Sequence, residues 1–172
     1  QQSASMSERF LSHSSVQHVT ACLARADHPH QVIALEDTAR SAEEAAAALG
    51  VETGAIVKTL MFVTGEAEDP VMALVAGDRQ CDVKALASLT GSGAPCRRPD
   101  AARLKAATGY AIGGVSPIGL PDDVPVFMDS SLFRFETVWS AAGHPHCVFQ
   151  ASPAALQQLC AASLCDDIGV SA

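Results

Sequence analysis

The sequence predicts a single α+β domain, built around a curved, barrel-like mixed β-sheet that is surrounded by helices. Three observations support this class. The chain has 172 residues, which fits one domain. Strand-like and helix-like segments mix without a regular βαβ rhythm. Hydrophobic residues make up 48% and charged residues 17%, which is typical of a globular chain and excludes a disordered one.

We expect the domain to cover residues 6–172, with residues 1–5 as a cloning remnant ahead of a natural start at Met6. The opening QQSASMSERF lacks a basic end followed by an apolar stretch, so no signal peptide is expected. The apolar runs are too short to span a bilayer, and we expect a cytoplasmic protein. The six cysteines form no C-x-x-C pair, so we expect small buried side chains in a reducing compartment and no zinc site.

Helices are marked by their caps. A first helix is predicted to begin at Ser14 or Ser15. The clearest helix is SAEEAAAALG, in which Ser41 and Glu44 form a capping box and Gly50 ends the helix. Further helices are predicted from the segments DVKALASLTG, PDAARLKAATG and SPAALQQLC, and SSLFRFETVWSAAG is predicted to form an amphipathic helix or a helical turn.

Strands are indicated by short runs of β-branched and other apolar residues. GAIVKTLMFV and PVMALVAG are predicted to pair as a hairpin around the turn TGEAED. Shorter strands are expected within HPHQVIALE, VPVFMD and HCVFQ.

Lys58 stands in the strand GAIVKTLMFV, whose two alternating faces are both largely apolar. This pattern predicts a central strand. A buried lysine costs free energy unless its ammonium reaches a partner or a cleft, so Lys58 is a candidate functional residue. The alternative is a lysine that extends from the strand to solvent.

The segment YAIGGVSPIGLP combines glycines with prolines. Gly113 and Gly114 can bring backbone N–H groups against a ligand, whereas Pro117 and Pro121 stiffen the chain. The pattern is neither G-x-G-x-x-G nor a P-loop, so no dinucleotide or P-loop site is indicated. The alternative is a structural turn between a helix and a strand.

The net charge is −8, from 11 Lys and Arg against 19 Asp and Glu, which disfavours a protein that coats duplex DNA. Four of the cations nevertheless cluster just before the glycine-rich segment: Arg97, Arg98, Arg103 and Lys105. A basic patch and an ordinary solvated helix face explain this cluster equally well.

Other catalytic patterns are weak. The pairs His28/His30 and His144/His146 each contain a proline and have no acidic third ligand close in sequence, so no metal site is predicted. A metal-dependent hydrolase that uses these histidines stays an alternative. No G-x-S-x-G elbow and no Ser-His-Asp set can be recognised.

Taken together, these segments resemble the YbaK/ProX family of aminoacyl-tRNA deacylases, which includes the editing domain of bacterial prolyl-tRNA synthetases. AEEAAAALG, IVKTLMFV, TGYAIGGVSPIG and VFMDSSLFRFETVWSAAGHPH occur in the family's order and cover most of the chain. The resemblance implies a trans-editing enzyme that hydrolyses the ester of mischarged tRNA, by water attack and without a cofactor. The expected substrate is proline tRNA carrying Ala, Ser, Thr or Cys. The alternative is a non-catalytic module of this fold that binds a tRNA end or a nucleotide.

The resemblance also implies site residues. Lys58 and the backbone of Gly113 and Gly114 are expected to be catalytic. The expected substrate contacts are Val115, Ser116, Pro117 and His146. His146 lies in GHPHCVF, where some family members have an aspartate and this chain has none. The expected contacts to tRNA phosphates are Arg97, Arg98, Arg103 and Lys105. The implied partners are the aminoacyl-tRNA acceptor end and prolyl-tRNA synthetase, with neither DNA nor a membrane.

Overall fold

The computed structural model describes residues 6–36 and 40–171, so the expectation for residues 1–5 lies outside the described residues. The helices are α1 Met6–Leu11, α2 Ser14–Arg25, α3 Ala42–Leu49, α4 Val83–Thr90, α5 Ala101–Thr108 and α6 Pro153–Cys160. The strands are β1 Ile33–Ala34, β2 Val57–Thr64, β3 Asp69–Ala76, β4 Arg79–Cys81, β5 Cys96–Arg97, β6 Val126–Asp129, β7 Val138–Ala141, β8 Cys147–Ala151, β9 Ser163–Cys165 and β10 Gly169–Ser171. None of the helices in the described residues is long and apolar enough to cross a membrane.

A five-stranded mixed sheet lies at the centre, in the order β5-β2-β3-β6-β9. The predicted hairpin is present: β2 and β3 pair antiparallel along their full lengths, and β6 then adds parallel to β3. β1, β8 and β7 form a second sheet, and β10 pairs with β4. A parallel bridge between Ile56 and Trp139 connects the first two sheets. The predicted α+β class with a mixed sheet is confirmed, although these sheets do not close into a barrel.

Both faces of the β2–β3 hairpin are buried, as the alternation of apolar residues predicted. Val57 and Met61 face a large core that also contains the inner side of α2. Phe62 and Val71 face a smaller core beneath α4. Burial on both faces explains why β2 has no polar face, and it leaves the edge of the strand as the place where a ligand can approach.

The edge of β2 that points away from β3 is largely open. In the described part of the chain, β5 pairs with this edge only at Val63 and Thr64, and β7 reaches it only at the Ile56–Trp139 bridge. The prediction of a central strand is therefore correct for the order of the strands, but the middle of β2 has a neighbour on one side only.

The prediction of an amphipathic helix or a helical turn for SSLFRFETVWSAAG is correct only for the first part of the segment. A 3₁₀ turn forms at Ser130–Arg134, and the second part is the strand β7 rather than helix. The Asp129 side chain caps the turn by accepting from the Ser131 N–H. β7 then pairs antiparallel with the next strand, β8, along its whole length, so hairpin pairing outweighs the helical spacing.

Helix caps were predicted more accurately. Ser41 Oγ accepts from the Glu44 N–H at 3.1 Å, and Gly50 ends α3 in the left-handed region at φ +70°. In a capping box the Glu44 carboxylate would accept from the N–H of Ser41. Here it accepts instead from the N–H of Arg40, at 3.5 Å. The first predicted helix, α2, begins at Ser14, and its cap is His13 instead of a serine.

Asp129 holds three segments together from a position that is 1% exposed. Its carboxylate accepts from the N–H and the hydroxyl of Ser131, and from the N–H of Gly169 at 2.9 Å. It therefore connects the end of β6, the 3₁₀ turn and the start of β10.

We expect Asp129→Ala to lower the free energy of unfolding by about 3 kcal/mol, because buried donors would lose a charged acceptor. The exposed Asp123 provides a control, since Asp123→Ala should change stability by less than about 0.5 kcal/mol. Urea unfolding followed by circular dichroism measures both values. Equal midpoints for the two variants would contradict this role for Asp129.

Candidate functional site

A cavity of about 310 Å³ lies along the open edge of β2. β2 contributes Val57 to Leu60, and the glycine-rich segment contributes Ile112, Gly113 and Val115. The rest of the wall comes from the start of α3, from Arg98 and Leu104, from β7, and from the turn that leads into β8. Elements that are far apart in sequence thus meet where β2 lacks a neighbouring strand.

Lys58 lines this cavity and is partly exposed. Its ammonium donates to the backbone carbonyl of Arg79 at 2.7 Å, which fixes the long side chain beside the cavity. An ammonium has three N–H donors, so two remain for a ligand. The arrangement is that of a positioned cation rather than of a lysine that extends freely into solvent.

Part of the glycine-rich segment lines the cavity. Gly113 has φ +87°, a conformation that glycine adopts at little cost. The Gly114 N–H closes a turn by donating to Ala111 O at 3.0 Å. The amides of Gly113 and Val115, which line the cavity, donate to no group among residues 6–36 and 40–171. These two N–H groups are therefore free to bind a ligand oxygen.

Ser116 and Pro117 lie behind the segment. Ser116 is fully buried, and its hydroxyl accepts from the Ile118 N–H at 3.2 Å. The Tyr110 hydroxyl donates to Ile118 O, and burial raises the pKa of Tyr110 well above its ordinary value. Pro117 lines a different cavity. Of the loop residues predicted to contact substrate, the structure brings Val115 to the cavity and places Ser116 and Pro117 beneath it.

The two histidines of GHPHCVF have different positions. His144 lines the cavity, whereas His146 stacks on Phe10 with ring centroids 4.0 Å apart. Nδ1 of His146 lies 3.0 Å from Leu35 O, which holds that ring away from the cavity. Burial lowers the pKa of His144, and the nearby His13 and His146 lower it further, so its imidazole is neutral at pH 7.

Several lining residues were not recognised from the sequence as site residues, among them Arg40, Thr59, Trp139 and His144. The Thr59 hydroxyl is buried and has no hydrogen-bond partner in the described residues. Its position directly after Lys58, as a polar residue within an apolar strand, was a usable signal. Trp139 was hidden because its segment was predicted as a helix or a helical turn.

The predicted basic patch divides into two groups. The Arg98 guanidinium lines the cavity and lies 5.2 Å from the ring centroid of Phe62, and burial lowers its pKa from the ordinary value. Lys105 is exposed on α5, away from the cavity wall.

Arg97 and Arg103 are attached to the turn between β2 and β3. Arg97 donates to Gly65 O at 3.0 Å and lies 3.9 Å from the Glu68 carboxylate. Arg103 donates to the backbone carbonyl of Glu68 at 2.7 Å. Only Arg98 of the predicted patch therefore reaches the cavity.

Cys147 is the thiol in the cavity wall, and it is a poor nucleophile. Burial raises its pKa to about 11, so it is protonated at neutral pH. No three His, Cys, Asp or Glu side chains within residues 6–36 and 40–171 are grouped to hold a metal ion. The charged residues of the wall are Lys58, Arg40 and Arg98, and they lie beside the free backbone amides of the glycine-rich segment.

A second cavity, of about 670 Å³, lies on the other side of the glycine-rich segment, between that segment and α6. Its described lining residues include Asp122 and His28 but no lysine or arginine. It is larger than the cavity at β2, yet it lacks a permanent cation. We therefore take the smaller cavity as the candidate site.

Comparison with known sequences gives a consistent result. The sequence model of the aminoacyl-tRNA editing domain matches residues 36–159. EbsC of Enterococcus faecalis, described as a candidate Cys-tRNA(Pro)/Cys-tRNA(Cys) deacylase, is 34% identical over 122 residues, which cover 69% of this chain and 71% of EbsC. A proline–tRNA ligase of Nitratidesulfovibrio vulgaris (strain DP4) is 38% identical over 95 residues, which cover 55% of this chain and 16% of the ligase.

Comparison with solved structures agrees. The crystal structure of a candidate trans-editing enzyme for prolyl-tRNA synthetase superposes with a TM-score of 0.80 at 36% identity, and the match covers 89% of this chain and 96% of that one. The resemblance to the YbaK/ProX deacylases is thereby confirmed. The chain belongs to the family of aminoacyl-tRNA editing domains, and its activity is that of an aminoacyl-tRNA hydrolase.

Proposed function

We propose that this chain acts in trans on mischarged proline tRNA and releases a small amino acid, namely Ala, Ser, Thr or Cys. The observation that carries the proposal is the meeting of Lys58 with the free amides of Gly113 and Val115 in one cavity of about 310 Å³. A cavity of this size suits the ester end of a tRNA that carries a small side chain. The names of EbsC and of the superposed structure support the choice of proline tRNA.

The proposed reaction uses the substrate's own reactivity. A water molecule attacks the ester carbonyl carbon, and the carbonyl oxygen becomes an oxyanion held by the amides of Gly113 and Val115. The bond between that carbon and the ribose oxygen then breaks. The proton lost by the water ends on the ribose oxygen, and the neighbouring ribose hydroxyl relays it. The products are a free amino acid and an uncharged tRNA.

Lys58 has an electrostatic role in this proposal. Its ammonium, held by Arg79 O, binds the terminal phosphate or the ester oxygens. No side chain has to act as a nucleophile, which agrees with the high pKa of Cys147 and the burial of Ser116. His144, with its neutral imidazole in the wall, takes the place that was first expected for His146.

Hydrolysis can be tested with proline tRNA charged separately with alanine, serine, threonine, cysteine and proline. The proposal expects release of at least one of the four small amino acids and little release of proline. Binding of charged tRNA without any hydrolysis would favour the non-catalytic module.

We expect Lys58→Ala to lower the rate of deacylation by about 100-fold, because the oriented cation is lost from the reaction centre. Its melting temperature should stay near that of the parent, since in the described residues the Lys58 side chain makes one hydrogen bond, to Arg79 O, and the backbone pairing with β3 is kept. Lys84→Ala removes an exposed lysine of α4 and should keep full activity. Full activity in Lys58→Ala would exclude the proposed role.

We expect Gly113→Val to abolish most activity, because a branched side chain is strained at φ +87° and would lie in the cavity wall. Ser116→Ala should retain a substantial fraction, since the Ser116 hydroxyl stabilises the turn from behind by about 1 kcal/mol. Rates are compared with melting temperatures to separate folding from chemistry. An acyl adduct on Ser116, detected by mass spectrometry, would contradict attack by water.

Because Arg98 lines the cavity and Arg97 is bonded to the β2–β3 turn, the two residues should differ in how they affect the salt dependence of tRNA binding. Arg98→Ala should raise KM and flatten the slope of log KM against log salt by roughly one unit for one lost phosphate contact. Arg97→Ala is the matched control and should change the slope less, because Arg97 is attached to Gly65 and Glu68. If both variants had the same slope of log KM against log salt, Arg98 would contribute no more to phosphate binding than Arg97.

A further inference from the structure

Trp139 is the large aromatic residue of the cavity wall, beside the smaller imidazole of His144. The chain has six Phe, one Tyr and one Trp, and all of them lie in the described residues. Among them only Trp139 lines the cavity at β2. An aromatic ring in the wall of a site that receives a nucleic-acid end offers a stacking surface, because every base has a π-face.

Trp139 is held firmly from one side. It packs against the small apolar cluster formed by Ala45, Ala46 and Ile56, and its backbone is bridged to Ile56. The residue is partly buried. A ring that is fixed from behind loses little conformational entropy when a base stacks on it.

The charges of the wall favour the phosphates next to such a base. Arg40, Lys58 and Arg98 line the cavity, and no Asp or Glu is found among its described lining residues. This is notable in a chain whose net charge is −8. The cavity is thus a local cationic region, which suits an anionic polynucleotide end rather than a neutral small molecule.

The spacing along β2 connects the two features. Ile56 lies beside Trp139, and Lys58 is two residues further along the chain, which corresponds to roughly 7 Å. That separation is comparable to the extent of one nucleoside. A base at Trp139 would therefore leave its ribose, with the ester that it carries, close to Lys58 and the amides of the glycine-rich segment.

We infer that Trp139 is the platform for the base of the 3′-terminal adenosine of the tRNA, because its indole forms the wall of the same cavity as Lys58, Arg98 and the free loop amides. The inference rests on the proposed function and assigns one subsite of it. The indole stacks on the adenine, Arg98 and Lys58 hold the adjoining phosphate, and the ester is delivered to Gly113 and Val115.

The first experiment uses the fact that the chain contains a single tryptophan. Adenosine 5′-monophosphate is titrated into the intact protein while tryptophan fluorescence is excited at a wavelength that adenine does not absorb. Ribose 5-phosphate, which lacks the base, is the matched ligand. Saturable quenching by the adenosine nucleotide alone is the expected result. Equal quenching by both ligands, or none by either, would overturn the inference.

The second experiment measures deacylation kinetics. Trp139→Leu should raise KM by about 5- to 150-fold, the factor that corresponds to the loss of one stacked base, with a smaller change in kcat. Trp139→Phe keeps an aromatic face and should stay within about threefold of the parent KM. Phe133→Leu, which changes a 41% exposed aromatic residue outside the cavity, should leave both constants unchanged.

These results separate a stacking platform from a residue that only packs on α3. If Trp139→Leu and Trp139→Phe raise KM equally, or if neither raises it, the platform is excluded. If Trp139→Leu does not fold, the titration and the Trp139→Phe variant still decide. Failure of the proposed function looks different, since the unmutated protein would then release no amino acid from any charged tRNA.

Discussion

The open edge of β2 is the constraint on which the site depends. β3 saturates one edge along all of β2, and both faces of the strand are buried. On the other edge, partners among residues 6–36 and 40–171 pair only at Ile56, just before the strand, and at Val63 and Thr64, at its far end. Unpaired backbone groups in a sheet need water or a ligand, so this gap is a natural place for a polar substrate end. Lys58 and Thr59 lie within it.

An acidic protein that binds tRNA must concentrate its attraction. With a net charge of −8, the overall field repels a polynucleotide, and only a local excess of cations can hold one. Arg40, Lys58 and Arg98 provide that excess around the cavity, whereas Arg97 and Arg103 are attached to the β2–β3 turn. Such an arrangement favours contact with the acceptor end alone over contact along the whole tRNA.

Local signals predicted much of the fold and part of the site. The hairpin, the Ser41 cap of α3 and the position of Lys58 beside a cavity with a partner for its ammonium follow from alternation, capping and the cost of burying a charge. Local signals could not distinguish His144 from His146, because the turn between β7 and β8 determines which of the two rings faces the cavity. Trp139 was missed for a related reason: its segment was assigned to a helix or helical turn, whereas β7 forms by pairing with β8 across the turn that joins them.

The glycine-rich segment explains how a site without a nucleophile can be effective. Behind it, the Ser116 hydroxyl and the Tyr110 hydroxyl both bind Ile118, and the Gly114 amide closes a turn onto Ala111. These buried bonds fix the backbone before any substrate arrives, so the Gly113 and Val115 amides need little reorganisation when an oxyanion forms. Preorganised donors in a water-poor site lower a barrier more than the same donors in water. In the reaction that we propose, the side chains of the loop position its backbone, and water and the substrate supply the chemistry.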